Sequence, residues 1–320
     1  MWRNKFKLLT TITITLCLVL SLNMLPVNAG SNQDKLDTSV KQLPEPPDGF
    51  NPATATDLEL QQYGFPSRPS DLIALAQWND VMSHAKHFVI PKEIQSTTSR
   101  GSVPPRKYTS NWAGYVVNGV NNNNATYTQA TALWQQPTYS GSEDLSFWTG
   151  IGGFNGSQAV VQAGTDCDAT EFLGTVRNMF WVDDAPNNLV YLTKPVVNPG
   201  DYLYVCVTYG GNTSTACLVN WSTDDYTIRT FDTLQYDGSS VEYIHEDANA
   251  NYYPPNYDSW GSATINGCSY YGNQGGWYLA DSNYREVWMS YMGQTPCPPA
   301  ELVAHVSEVS PVSGFTVTAY

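Results

Sequence analysis

Charge is scarce in this 320-residue chain: Asp, Glu, Lys and Arg together make up 14% of it, against about 25% in ordinary soluble domains. Basic residues are the scarcest. Residues 106–320 hold 6 Lys+Arg against 20 Asp+Glu, a balance of −14, while residues 1–105 hold 9 of each. A surface of that sign repels phosphates, which excludes nucleic acid as a partner and leaves basic substrates, neutral polymers or a basic segment of the chain itself. Histidine is nearly absent from the second part, which has His245 and His305 alone, and no Cys/His spacing fits a zinc signature. No metal or other cofactor is therefore expected. When carboxylates protonate near pH 4, a region with 6 basic groups gains little positive self-repulsion, so it is expected to stay folded in acid.

Long apolar runs are also missing after the first. Arg3, Lys5 and Lys7 precede an apolar stretch from Leu8 to Leu25, which ends in Val27-Asn-Ala29 before Gly30. This pattern reads as a secretory signal over residues 1–29. A membrane anchor is the competing reading, because the stretch is long enough to span. The small-residue end favours cleavage and a secreted, extracellular protein with no membrane association once the signal is removed.

Cysteines are few, and Cys17 leaves with the signal. Cys167, Cys206, Cys217, Cys268 and Cys297 remain, an odd number. Cys206 and Cys217 flank a hairpin turning at Gly210-Gly211 and are the first candidates for a disulfide, with Cys268–Cys297 the second.

Residues 30–107 differ in character from the C-terminal two-thirds of the chain. They contain Pro44-Glu-Pro-Pro47, a Pro-rich turn at Phe65–Pro69, and one helical stretch from Asp71 to Phe88 with Leu72, Leu75, Trp78, Val81 and Met82 on one face. A small domain, a spacer or a pro-region would all fit. One helix is too little for a core, and the stretch sits between a signal and a β-rich part, which favours a pro-region, expected to hold the rest of the chain inactive. Its His84, Lys86, His87 and Lys92 could dock on the acidic part at neutral pH and let go in acid.

From residue 108 to 320 the chain is nearly all strand. Short β-branched and aromatic runs recur, from Trp112–Val117 through Leu145–Ile151, Tyr202–Thr208 and Val241–Ile244 to Gly314–Ala319, separated by turn clusters. One large antiparallel β-sandwich is expected, acting as a monomer. Two segments carry unusual polarity. In Val160–Asp166, Gln162 and Asp166 share a face; in Val241–Glu246, Glu242, Ile244 and Glu246 do. Those faces are either wet surface or a functional cleft.

Several motifs occur in one order: Ser110-Asn-Trp-Ala-Gly-Tyr115, Phe147-Trp-Thr-Gly-Ile-Gly-Gly153, Val160-Val-Gln-Ala-Gly-Thr-Asp166, Phe180-Trp-Val-Asp-Asp-Ala-Pro186, Asn198-Pro-Gly-Asp201 and Val241-Glu-Tyr-Ile-His-Glu-Asp247. In that order and spacing, residues 108–320 resemble the glutamic peptidase (eqolisin) family, and the preceding part resembles the pro-regions of its secreted bacterial members. The resemblance implies a concanavalin-like sandwich of two seven-stranded sheets and cleavage of proteins at acid pH. It also implies that Gln162 and Glu242 are the catalytic pair, with Trp112, Trp148 and Asp166 in supporting or substrate-binding positions. Glu246 shares the face of Glu242 and is expected to support rather than catalyse. The chain departs from the family at Gly152, where an acid is usual, and at His245, where an aliphatic residue is usual.

Glutamate ionises near pH 4 and can serve as a base where histidine would be protonated, and a glutamine amide stays a donor at any pH. Asp166 could orient the Gln162 amide or the Trp148 indole, or could simply satisfy backbone donors. Two rival readings remain. Glu242 and Glu246 could be the carboxylates of a concanavalin-like glycoside hydrolase, although residues four apart on a strand sit about 13 Å apart and a retaining pair needs about 5 Å. A carbohydrate-binding lectin would use the aromatics and need no Glu242.

Overall fold

The computed structural model describes residues 43–95, 108–109, 111–139, 145–154, 159–167, 178–185, 189–233, 236–247, 262–290, 302–310 and 313–319. The expected signal segment lies outside them, as does Cys297. Among the described residues no helix is long and apolar enough to cross a membrane.

Two helices open the described chain, α1 (Asp57–Tyr63) and α2 (Leu72–Ser83). The strands are β1 (His87–Phe88), β2 (Glu93–Gln95), β3 (Tyr108–Thr109), β4 (Trp112–Asn118), β5 (Tyr127–Gln135), β6 (Leu145–Gly152), β7 (Val160–Cys167), β8 (Asn178–Ala185) and β9 (Val190–Val197). They continue as β10 (Tyr202–Tyr209), β11 (Thr213–Asn220), β12 (Asp225–Asp232), β13 (Ser240–Asp247), β14 (Ser262–Gly272), β15 (Gly275–Tyr278), β16 (Tyr284–Ser290), β17 (Leu302–Val306) and β18 (Phe315–Ala319).

Seven antiparallel strands form one sheet, in the order β9-β8-β7-β6-β13-β4-β16. Seven more form the other, β12-β11-β10-β5-β14-β18-β17. Pairing of β16 with β17 joins them along one side. Between the sheets lies the main core, with Tyr115, Trp134, Phe147, Phe180, Leu203, Leu218 and Tyr243 among its buried side chains. The all-β sandwich expected from the strand pattern is the architecture found, with two seven-stranded sheets.

A third layer lies outside the β12-side sheet. Leu60 of α1, Phe65, and Trp78, Val81 and Met82 of α2 pack with Tyr204, Cys206, Cys217, Val219 and Tyr226 of that sheet's outer face. Each large apolar side chain removed from water there contributes roughly 1.5–3 kcal/mol. The chain then adds β1 in parallel to β12 and β2 antiparallel to β9, so one edge of each sheet is covered.

Helix α2 is shorter than the periodicity predicts. Asp71 caps it by accepting from the Ile73 and Ala74 N–H groups, but it ends at Ser83, because Lys86 and His87 donate their backbone N–H groups to Asp224 and turn the chain into β1. Leu72, expected on the buried face, is 80% exposed. Of the basic residues expected to dock, Lys86 and His84 both reach Asp224 (2.7 Å each), and His87 lies 3.5 Å from Asp225. Lys92 contributes its backbone N–H, donated to Thr193 Oγ1.

The expected Cys206–Cys217 disulfide is not formed. The two residues face each other directly across β10 and β11, yet both are buried free thiols. Burial pushes the Cys206 thiol up to about 12 and Cys217 well above its ordinary value. Thiolate is the reactive species, so thiols held neutral under an apolar layer are poor partners for oxidation. Cys268, half of the second expected pair, is likewise a free buried thiol. The Gly210-Gly211 turn between Cys206 and Cys217 is present, with Gly211 at φ 105°, where a side chain would be strained.

Candidate active site

Register across the β9-side sheet decides the site. Glu242 of β13 lies opposite Gly150 of β6, and Gly150 lies opposite Gln162 of β7, which in turn lies opposite Asp183 of β8. Because side chains alternate along each strand, all four residues of this row share the face turned away from the main core. Glu242 and Gln162 thus stand two strand spacings, about 10 Å, apart at the backbone, reaching toward a common space.

Gly150 stands between them where no side chain fits. A Cβ there would come within 2.9 Å of Gln162 Cβ and 3.2 Å of Trp148 Cζ3, both closer than side chains pack. Sequence reasoning alone gives this glycine no role, although it lies inside the Phe147–Gly153 motif.

The row one step along carries the aromatics. Ile244, Trp148, Gly164 and Trp181 align across β13, β6, β7 and β8. Trp148 meets Trp112 edge-on at 4.9 Å between ring centroids. With Val116, Phe154, Leu189 and Tyr191 they form an apolar cluster against which Ile94 of β2 also packs.

The next row is polar again, with Glu246, Ser146 and Asp166 in register. Trp148 Nε1 donates to Glu246 Oε2 at 2.8 Å and Asn111 Nδ2 to Glu246 Oε1 at 3.1 Å, while the Ser146 hydroxyl donates to Asp166. The Trp148 indole is thus held by Glu246, and the Gln162 amide donates from Nε2 to Asp183 Oδ2 at 3.0 Å. In the sequence Asp183 is legible only as part of the Phe180–Pro186 motif; its position opposite Gln162 needs strand register to be seen.

The polar face is not wet surface. Glu242 is fully buried and Gln162 is 1% exposed. Among the described residues, neither Glu242 oxygen, nor Gln162 Oε1, has a hydrogen-bond partner. A buried polar group left so costs about 1–3 kcal/mol, and three such atoms in one row mark a place where stability is given up. Burial holds the Glu242 carboxyl well above the usual range, the Asp237 charge raises it further, and the Ser240 hydroxyl opposes the rise without closing a hydrogen bond. Gly152, where the resemblance puts an acid in the family, sits at φ 89° with Ala159 O at 2.4 Å from any added Cβ, so the backbone leaves no room for a side chain. Asp237 brings a negative charge toward Glu242 from the segment before β13.

Such an arrangement offers a carboxyl that gives a proton when neutral and takes one when ionised, with an amide donor on the same face across a glycine. The model of the peptidase A4 family matches residues 110–297. Among solved structures, scytalido-glutamic peptidase bound to a transition-state analogue inhibitor aligns with a TM-score of 0.50 at 17% identity, over 66% of this chain and 98% of that one. Aspergilloglutamic peptidase from Aspergillus niger aligns at 0.41 and 20%, over 56% and 99%. Toad ovary galectin in complex with thio-digalactose aligns at 0.27 and 13%, over 42% and 91%. No curated protein matches the chain. The likeness to scytalido-glutamic peptidase speaks for the fold; the family pattern spans more than half of the sequence, and by it the chain belongs to the peptidase A4 family, the glutamic peptidases.

Proposed function

We propose that the chain is an exported endopeptidase working in acid, with Glu242 as proton carrier and Gln162 as oxyanion donor. The observation that supports this best is the Glu242–Gly150–Gln162 row, which holds the two groups on one face across a glycine. A peptide laid over Gly150 brings its carbonyl between both. Solvent entering with it relieves the burial that keeps Glu242 neutral, and the carboxylate then takes a proton from the attacking water. Gln162 donates one amide hydrogen to Asp183, which leaves its second for the carbonyl oxygen as negative charge develops there. Collapse of the tetrahedral adduct expels the amine, which receives the proton held by Glu242. Trp148, pinned by Glu246, and Trp112 beside it form the apolar wall along which a substrate side chain lies.

Digestion of an acid-denatured protein at pH 3–5 by wild type, Glu242→Gln and Gln162→Ala tests the assignment. Glu242→Gln is expected to be inactive, and Gln162→Ala to lose about 10²–10³ in turnover. Undiminished proteolysis by Glu242→Gln ends the assignment.

A further inference from the structure

An antiparallel sheet with one wet face alternates apolar and polar residues, and the β12-side sheet does not. Its outer face carries Tyr204, Cys206, Cys217, Val219 and Tyr226, all buried, beneath Leu60, Phe65, Trp78, Val81 and Met82. The segment on top is therefore matched to the apolar part of that face, beside a row of threonines, Thr208, Thr215 and Thr230. Val40–Tyr320 form one compact unit.

Residues 86–95 add backbone pairing to this. Lys86 and His87 donate to Asp224 O and Val89 to Tyr226 O along the β12 edge, and Thr193 of β9 donates to Lys92 O. Arg229 of β12 holds Glu93 through Nη2–Oε2 at 3.1 Å. The described chain leaves the β9 edge at residue 95 and is next described at residue 108, where β3 pairs with β16 on the opposite edge of the same sheet. A cut between them removes neither strand from its partner.

From the two-faced apolar sheet and the two covered edges we infer that residues 43–95 remain bound as a permanent third layer after any processing, making the working enzyme a two-part molecule. This rests on the reading of the chain as a processed peptidase, and it confines release to segments outside that layer. Acid does not loosen Asp224, which anchors two basic groups. Asp224 is held below the ordinary carboxylate range, first by the hydrogen bond from Lys86 and then by His84, with His87 and Asp225 alongside. Its charged contact is present above that lowered value and persists as pH falls into the usual carboxylate range.

The experiment places a recognition sequence for an added site-specific protease at residues 98–103 of the full chain carrying Glu242→Gln, so that cutting is independent of the chain's own activity. After the cut, size exclusion at pH 7 and pH 4 is combined with alkylation of Cys206 and Cys217 read by mass spectrometry. Co-elution of the two parts at both pH values, with both thiols protected until urea is added, is expected. Separation at either pH, with a folded remainder whose thiols label, overturns the inference. In the same cut chain, Val81→Asp is expected to lose the N-terminal part and leave a remainder that aggregates or unfolds. A soluble, folded remainder with an unchanged melting temperature, or retention of the N-terminal part despite Val81→Asp, overturns it too. Proteolytic activity is read separately in the Glu242 chain, so failure of the catalytic assignment and failure of the retained layer are distinguishable.

Discussion

His245 is a liability in a protein proposed to work in acid, and its removal has a calculable effect. It lies on β13 between the two sheets, with its ring against Phe147 at 4.6 Å and Nδ1 at 3.1 Å from Ser146 O. Burial drives its pKa from 6.5 down to about 3, against a smaller opposing pull from the Ser146 carbonyl. The unfolded chain binds a proton at this residue below pH 6.5, whereas the folded chain does not until about pH 3. Stability therefore falls as pH is lowered through that window, by about 1.4 kcal/mol per unit. At pH 4 the accumulated cost is roughly 3 kcal/mol, a large share of the 5–15 kcal/mol that ordinarily holds a protein folded. His245→Leu removes this term but gives up the contact with Ser146, at about 1–2 kcal/mol at every pH. The variant should be the less stable protein at pH 7 and the more stable at pH 4, with the two curves crossing between about pH 5 and 6. Urea unfolding at pH 7, 5.5 and 4, in a Glu242→Gln background that prevents self-digestion, measures the difference. A stability difference that does not change with pH refutes the reasoning.

Glu242→Gln should stabilise the closed protein at neutral pH and leave it unchanged near pH 3. Its raised pKa means that stability is full below about 4.5 and is lost as pH rises, a loss the amide does not share; calorimetry at both pH values checks the sign. Asp183→Ala should free the Gln162 amide and lower kcat by about tenfold to a hundredfold with little change in KM, read from initial rates on a peptide substrate. Gly150→Val should fill the gap between Glu242 and Gln162 and abolish activity, while far-ultraviolet circular dichroism of the variant still reports the sandwich; retained turnover in a folded variant would remove the row from the mechanism.

Alternation makes the two faces of β7 and β13 readable, because a period of two needs only local sequence. Partners across strands are not readable in that way. Asp183 opposes Gln162 through β7–β8 register, which no spacing along the chain encodes. Strand β9 is hidden because Pro195 interrupts it, and β16 because Arg285 and Glu286 sit in its middle. Helix α1 does have a signal: Thr56 and Glu59 form a reciprocal capping box that the Thr-x-x-Glu spacing announces. The cysteines mislead because hairpin proximity is visible in sequence while the apolar layer that keeps both thiols neutral is not.

Glu242 and His245 stand three residues apart on β13, and the parity of the strand sends them to opposite faces. The same desolvation acts on both with opposite results, raising the acid and lowering the base, so both are neutral at acid pH and the strand carries no charge at either position. Their contributions to stability run against each other: one falls as pH rises above about 4.5, the other falls as pH drops below 6.5, and over the shared window they partly cancel. The two faces differ in what can reach them. His245 lies between packed sheets, while Glu242 shares the face of the Trp148 cluster proposed to receive the substrate. On the proposed mechanism, admitting solvent and substrate to that face would lower the pKa of Glu242 and leave His245 dry, so that the base would form without charging the core behind it.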